Sequence, residues 1–182
     1  MNPADQAGRQ APQPGVVRVM GLISHVCGVV AALMILASVL ITCQMIWVRG
    51  VLNQSSIWQT EVVIYLMISA TLIGLPWVQR QRGHVNVDLL PIWLGNRLRR
   101  VLAALTLAAS IVLMAVMFWF GFGIFHEAWT SGETSGTVWD APMWVPYLAM
   151  PVGFGLFLLQ LAVDLYAMIV GADRPFGLPD KP

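Results

Sequence analysis

The sequence predicts an all-α integral membrane protein that crosses the bilayer four times. It further predicts an amphipathic interfacial segment between the second and third crossings, and N and C termini in the cytoplasm. Three observations lead there. Of 182 residues, 58% are hydrophobic and 10% charged, against roughly 45–50% and 25% in soluble domains. The apolar residues fall in four long uncharged blocks, and Lys and Arg are shared unevenly among the segments that join them. Four such blocks in a soluble chain of this length would leave almost no polar surface to keep it in solution. A formal net charge of +1 supplies no basic field for counterion release, which excludes nucleic acid as a partner.

Residues 1–17 are polar and rich in Pro and Gln and read as a disordered cytoplasmic tail. The first block, thirty uncharged residues between Arg18 and Arg49, exceeds both a signal-peptide core and the roughly 20 residues a span requires, so it reads as an uncleaved helix. Cys27 and Cys43 lie on it about 24 Å apart at 1.5 Å per residue, too far to pair. The second block, Val62 to Gln79, follows Glu61; the third runs Val101 to His126; the fourth, Ala141 to Val163, ends at Asp164. The expected spans are 19–48, 57–79, 101–126 and 141–170, forming one domain over 18–171 with a second cytoplasmic tail at 172–182. Ser56 to Gln59 has the spacing of a capping box, and Asp140 with Pro142 suits the entry to the fourth helix. Pro146 and Pro151 are expected to bend its first turns.

Orientation follows from the basic residues. Arg9, Arg18, Arg80, Arg82, Arg97, Arg99, Arg100, Arg174 and Lys181 fall on one side of this plan, and Arg49 alone on the other. The positive-inside rule then puts both tails and the middle loop in the cytoplasm. Seven of the eight tryptophans, all but Trp119, fall near boundaries drawn from charge alone, as an amphipathic ring in the headgroup zone requires. The middle loop, Gly83 to Gly95 followed by three arginines, is too short to span and is expected to lie along the cytoplasmic surface of the membrane, with the arginines reaching lipid headgroups or a partner.

Ionisable residues are the functional candidates in such a chain, because a charge at mid-bilayer costs at least about 2.5–3.5 kcal/mol. Glu61, in the first turn of the second helix, reads equally as a solvated helix-start acid and as a specific contact. Asp164 belongs at the opposite face, within reach of a cytoplasmic arginine, so the two acids cannot share a metal or act as a pair. His25, His84 and His126 offer no intramembrane pair for haem, and His25 reads as a hydrogen-bonding residue. No Cys-x-x-Cys, phosphate-cradling loop or activated Ser is present, so neither an enzyme activity nor a cofactor is expected. Small residues recur: Gly28, Ala31 and Ala32; Ser69, Ala70 and Gly74; Ala104 and Ala108; Gly121 and Gly123; Gly153 and Gly155. They let helices approach closely in lipid. Four helices enclose little interior, so a chain with packing and orientation but no chemistry reads as a subunit of something larger.

Trp58-Gln59-Thr60-Glu61, Gly74, the run Arg82-Gly83-His84-Val85-Asn86-Val87-Asp88-Leu89-Leu90 and the basic Arg97-Leu98-Arg99-Arg100 resemble the small membrane subunit of tripartite ATP-independent periplasmic (TRAP) transporters. The detailed resemblance covers about residues 56 to 100. One departure is Thr60-Glu61, where many relatives have two adjacent acids. The resemblance implies a secondary transport system of the bacterial inner membrane. In it a periplasmic substrate-binding protein delivers an organic anion to a large multi-span, sodium-coupled subunit moving by an elevator motion, while the small subunit braces the static scaffold. It also implies that Trp58, Glu61, Gly74, Arg82, Gly83, His84, Asp88, Arg99, Arg100 and Asp164 serve structure or the subunit interface, with sodium bound in the large subunit. The acidic loop Glu127 to Asp140 reads first as solvated, with docking of the binding protein as the sharper alternative. The contrasting class is a four-helix membrane anchor for a haem- or quinone-linked redox complex, which would want mid-membrane histidines.

Overall fold

The computed structural model describes residues 15–54, 57–81 and 96–170, with the backbone alone for 96, 97, 99 and 100. Five helices account for nearly all of it: α1 (Gly15–Val51), α2 (Trp58–Arg80), α3 (Asn96–Ser131), α4 (Trp144–Tyr147) and α5 (Ala149–Ile169). Taking α4 and α5 together, four helical stretches are long and apolar enough to cross a membrane, as composition requires. The amphipathic stretch expected over 83–95, residues 1–14 and the tail at 172–182 lie outside the described residues, while Gly15, Val16 and Val17, expected in the N-terminal tail, belong to α1.

The boundaries differ from expectation where local chemistry intervenes. The first helix has 37 residues, about 55 Å at 1.5 Å each, because no Pro or turn signal interrupts it before Asn53. There the chain turns left-handed, φ 53°, a conformation Asn tolerates better than most residues. The residue at the cap of α2 is Ile57, without a side-chain cap hydrogen bond, and Ser56, on which the expected capping box depends, lies outside the described residues. The fourth crossing does not begin at Ala141. Asp140 is itself left-handed, φ 53°, as are Gly132 and Gly136 at 65°, so residues 132–143 fold into a small hairpin closed by a Thr134–Pro142 bridge. Helix begins only at Trp144 and is interrupted at Leu148. Pro146 and Pro151 explain this, since each removes a donor from the first turns. The ladder resumes on either side, with Leu148 N–H reaching Trp144 C=O at 2.9 Å and Val152 N–H reaching Leu148 C=O at 3.3 Å.

The crossings stand in an open row. In space the order is α1, α2, α5, α3: α2 packs against both α1 and α5, α1 also touches α5, and α3 packs against α5 and the short α4. Small side chains hold the row together, with Ala31, Ala70, Ala103, Ala128, Ala149 and Ala167 among the buried residues. Lipid tails are as apolar as Leu, so association is driven by close backbone approach rather than by escape from solvent. Two glycines carry the closest approaches. A Cβ on Gly28 would lie 2.6 Å from the Trp77 indole, and one on Gly153 would lie 2.8 Å from the backbone carbon and oxygen of Leu72. That second contact has a cause in α2. Pro76 is buried inside this helix and has no N–H to offer the carbonyl four residues back, so the Leu72 carbonyl lacks its usual helical donor, and α5 comes against it at a position with no side chain. The outer surface carries large apolar groups along its length, including Leu105, Val112 and Trp119, the last 76% exposed.

Candidate functional site

Polar side chains gather at the two ends of the row and join helices that are far apart in sequence. At the hairpin end stands Glu61, in the first turn of α2 and 9% exposed. Its carboxylate accepts hydrogen bonds from the Thr137 hydroxyl of the hairpin and from the Tyr65 hydroxyl one turn along α2, at 3.3 Å. Tyr65 also reaches the Met143 sulfur at 3.6 Å. Beside it Gln59, fully buried, donates to Gln44 of α1 at 3.4 Å, and Thr60 meets the Met45 sulfur at 3.5 Å. Of the two readings open for Glu61, the specific contact is the one found. Trp58, the first residue of α2, is partly exposed.

At the opposite end three helices share one network. Ser24 of α1, fully buried, donates to Gln160 Oε1 of α5 at 2.6 Å; Gln160 Nε2 donates to Asp164 at 2.7 Å; and Gln79 Nε2 of α2 donates to the other Asp164 oxygen at 3.3 Å. Next to it Arg80 donates to the Gly21 carbonyl, laying its guanidinium where a side chain at Gly21 would stand. Asp164 is thus held by two glutamines from two helices, partners that charge-based reasoning did not name. Glu61 and Gln79 are separated by eighteen residues of α2, about 27 Å, so the two acids sit at opposite ends as expected. His25 packs edge-on to Trp77 with centroids 5.0 Å apart, a ring contact where a hydrogen bond was expected.

The remaining expected residues divide. Gly74 faces Ala31, whose Cβ would be 3.4 Å from a side chain there. Arg82, Gly83, His84 and Asp88 lie outside the described residues. Arg99 and Arg100 fall in the first turns of α3, and their side chains are likewise outside. Ser24, Gln79, Tyr65, Thr137 and Gln160 were not anticipated. A signal existed for Gln160, which stands four residues before Asp164 on one helix face, but neutral polar residues attract less notice than charges.

Residues 38–171 match the family described as the DctQ component of tripartite ATP-independent periplasmic transporters. The chain belongs to that family. DctQ proteins are small permease subunits of transporters, so this chain is a multi-pass membrane component of a transport system and not an enzyme. Among similar proteins is the isethionate TRAP transporter permease protein DctMQ of Oleidesulfovibrio alaskensis, 24% identical over 127 residues, covering 68% of this chain and 20% of that protein. Another is the C4-dicarboxylate TRAP transporter small permease protein DctQ of Rhodobacter capsulatus, 28% identical over 100 residues, 55% of this chain and 44% of that one. A third is the DctQ of Vibrio cholerae that shares this description, 24% identical over 157 residues, 74% of this chain and 67% of that one. The match thus spans a fifth of the DctMQ protein and under half of the Rhodobacter DctQ. Family membership gives no support to a redox anchor.

Proposed function

We infer that this chain is the brace of a TRAP transporter: it packs on a large multi-span permease subunit and widens that subunit's fixed footprint, while the large subunit moves substrate. The observation that carries this reading is the open row of helices. Among the described residues the row encloses little interior and leaves large apolar side chains along its outer surface, which suits packing on a larger body. Four crossings, one of them about 55 Å long, also resist tilting relative to the bilayer. The similarity to a DctMQ protein supports the large subunit as the partner.

The finer parts belong to the same reading. The cargo is an organic anion captured by a periplasmic binding protein and driven inward by sodium held in the large subunit, through an elevator motion in the bacterial inner membrane. Both termini and the turn after α2 face the cytoplasm, which the nine-to-one division of basic residues supports. On the same reading His84 and Asp88 serve assembly with the large subunit. The decisive test is co-production with a large TRAP permease subunit from the same source. The two copurify as a stable complex; replacing His84 and Asp88 together with Ala reduces recovery of that complex, and unchanged copurification and uptake would contradict the role given to the pair.

A further inference from the structure

We propose that the hairpin between α3 and α4 is a tethered lipid-interface anchor, with Val138 and Trp139 seated at the headgroup boundary of a zwitterionic bilayer. The tip is the turn Thr137 to Asp140, closed by a 3.0 Å hydrogen bond from Asp140 N–H to Thr137 C=O. Two further bonds, Ser135 N–H to Ala141 C=O at 2.8 Å and Met143 N–H to Glu133 C=O at 3.0 Å, stiffen its stem. Such a turn holds its two central side chains outward. They are apolar: Val138 is 86% exposed and Trp139 44%.

Depth decides what covers them. A loop built to meet a soluble partner would project beyond the headgroups, but this one is tied back. Thr137 bonds to Glu61, three residues into α2 and so about 4.5 Å along the helix from its first residue. Met143, at the base of the stem, contacts Tyr65, another turn deeper. Val138 follows Thr137 directly, with Cα atoms about 3.8 Å apart, so the tether holds it close to the start of α2. Trp58, the first residue of α2, and Trp129, near the end of α3, are also exposed. Trp gains most where one edge is apolar and the other wet. Glu133 and Asp140 flank the tip and disfavour anionic headgroups beside it, which favours a zwitterionic surface. This assignment does not depend on which compartment the hairpin faces, nor on the transport reading.

The test places a nitroxide on Val138→Cys in a Cys27→Ala, Cys43→Ala background. The full-length chain is held in phosphatidylcholine nanodiscs, and collisions with oxygen are compared with collisions with a water-soluble nickel chelate. The anchor predicts that oxygen reaches the label readily and nickel poorly. It also predicts that nickel accessibility rises several-fold when Thr137→Val or, separately, Glu61→Gln weakens the tether. Free access of nickel in the parent would place the tip in water, and poor access of both reagents would place it under protein. Either result overturns the proposal, as does nickel accessibility that neither tether variant changes.

Discussion

Ser24 and Gln160 are buried polar groups on different helices, 136 residues apart in the chain and 2.6 Å apart in space. In lipid such a bond contributes about 0.6 kcal/mol on average and at most about 1.7, because partners are also found in the unfolded reference state. A double-mutant cycle of Ser24→Ala and Gln160→Ala should therefore return a coupling in that range by unfolding in bicelles, and a coupling of zero would show that the pair contributes nothing. Steric contacts at single residues are larger in effect. Gly153→Ala drives a methyl group into the Leu72 backbone, which cannot rotate away as a side chain would, and should cost about 1–3 kcal/mol. Gly123 has nothing within 4 Å of a built Cβ, so Gly123→Ala should change stability by less than about 0.5 kcal/mol in the same assay. Equal losses at the two glycines would refute the packing described for α2 and α5.

At the scale of elements, the row α1, α2, α5, α3 makes a prediction that a closed bundle would not. Gly121 of α3 faces Met150 of α5, with 3.1 Å between a built Cβ and that of Met150. A Gly121→Cys, Met150→Cys pair in a cysteine-free background should form a disulfide readily on mild oxidation. Cysteine pairs scanned between α1 and α3 should form none within one molecule, and efficient α1–α3 cross-linking would close the row and contradict the fold. The existence of the crossings was legible in sequence because the bilayer demands long apolar runs of each one. Their neighbour order was not. It rests on which glycine meets which carbonyl and which glutamine meets which acid, and a single sequence gives no pairing for either. The end of α2 falls at Arg80, where charge was expected to end a span, whereas α1 runs on past Arg49 to Val51. The boundary was misplaced at Asp140 and Pro142, residue types that serve equally well in a hairpin turn and at a helix entry. Of the candidate site, Glu61 and Asp164 were found because they carry charge. Tyr65, Thr137, Gln79 and Gln160 were not, because neutral polar groups have no signature until their partners are known.

For the whole molecule, the shape leaves much of the surface to be covered. Most large apolar side chains among the described residues are exposed, so either lipid or protein must cover them. The orientation expected from charge places the N-terminal tail and the His84 turn on one side, and accessibility of single-cysteine labels at Ala11 and Asn86 in intact cells checks it. Both sites should be protected from a membrane-impermeant reagent, and labelling of one but not the other would break the four-crossing plan. On the function proposed, this subunit moves nothing by itself. Proteoliposomes containing the chain alone, with a sodium gradient and a labelled C4-dicarboxylate or sulfonate, should show no flux above empty vesicles, and uptake should appear only when a large TRAP permease subunit and its binding protein are added. Gradient-dependent flux from this chain alone would contradict it.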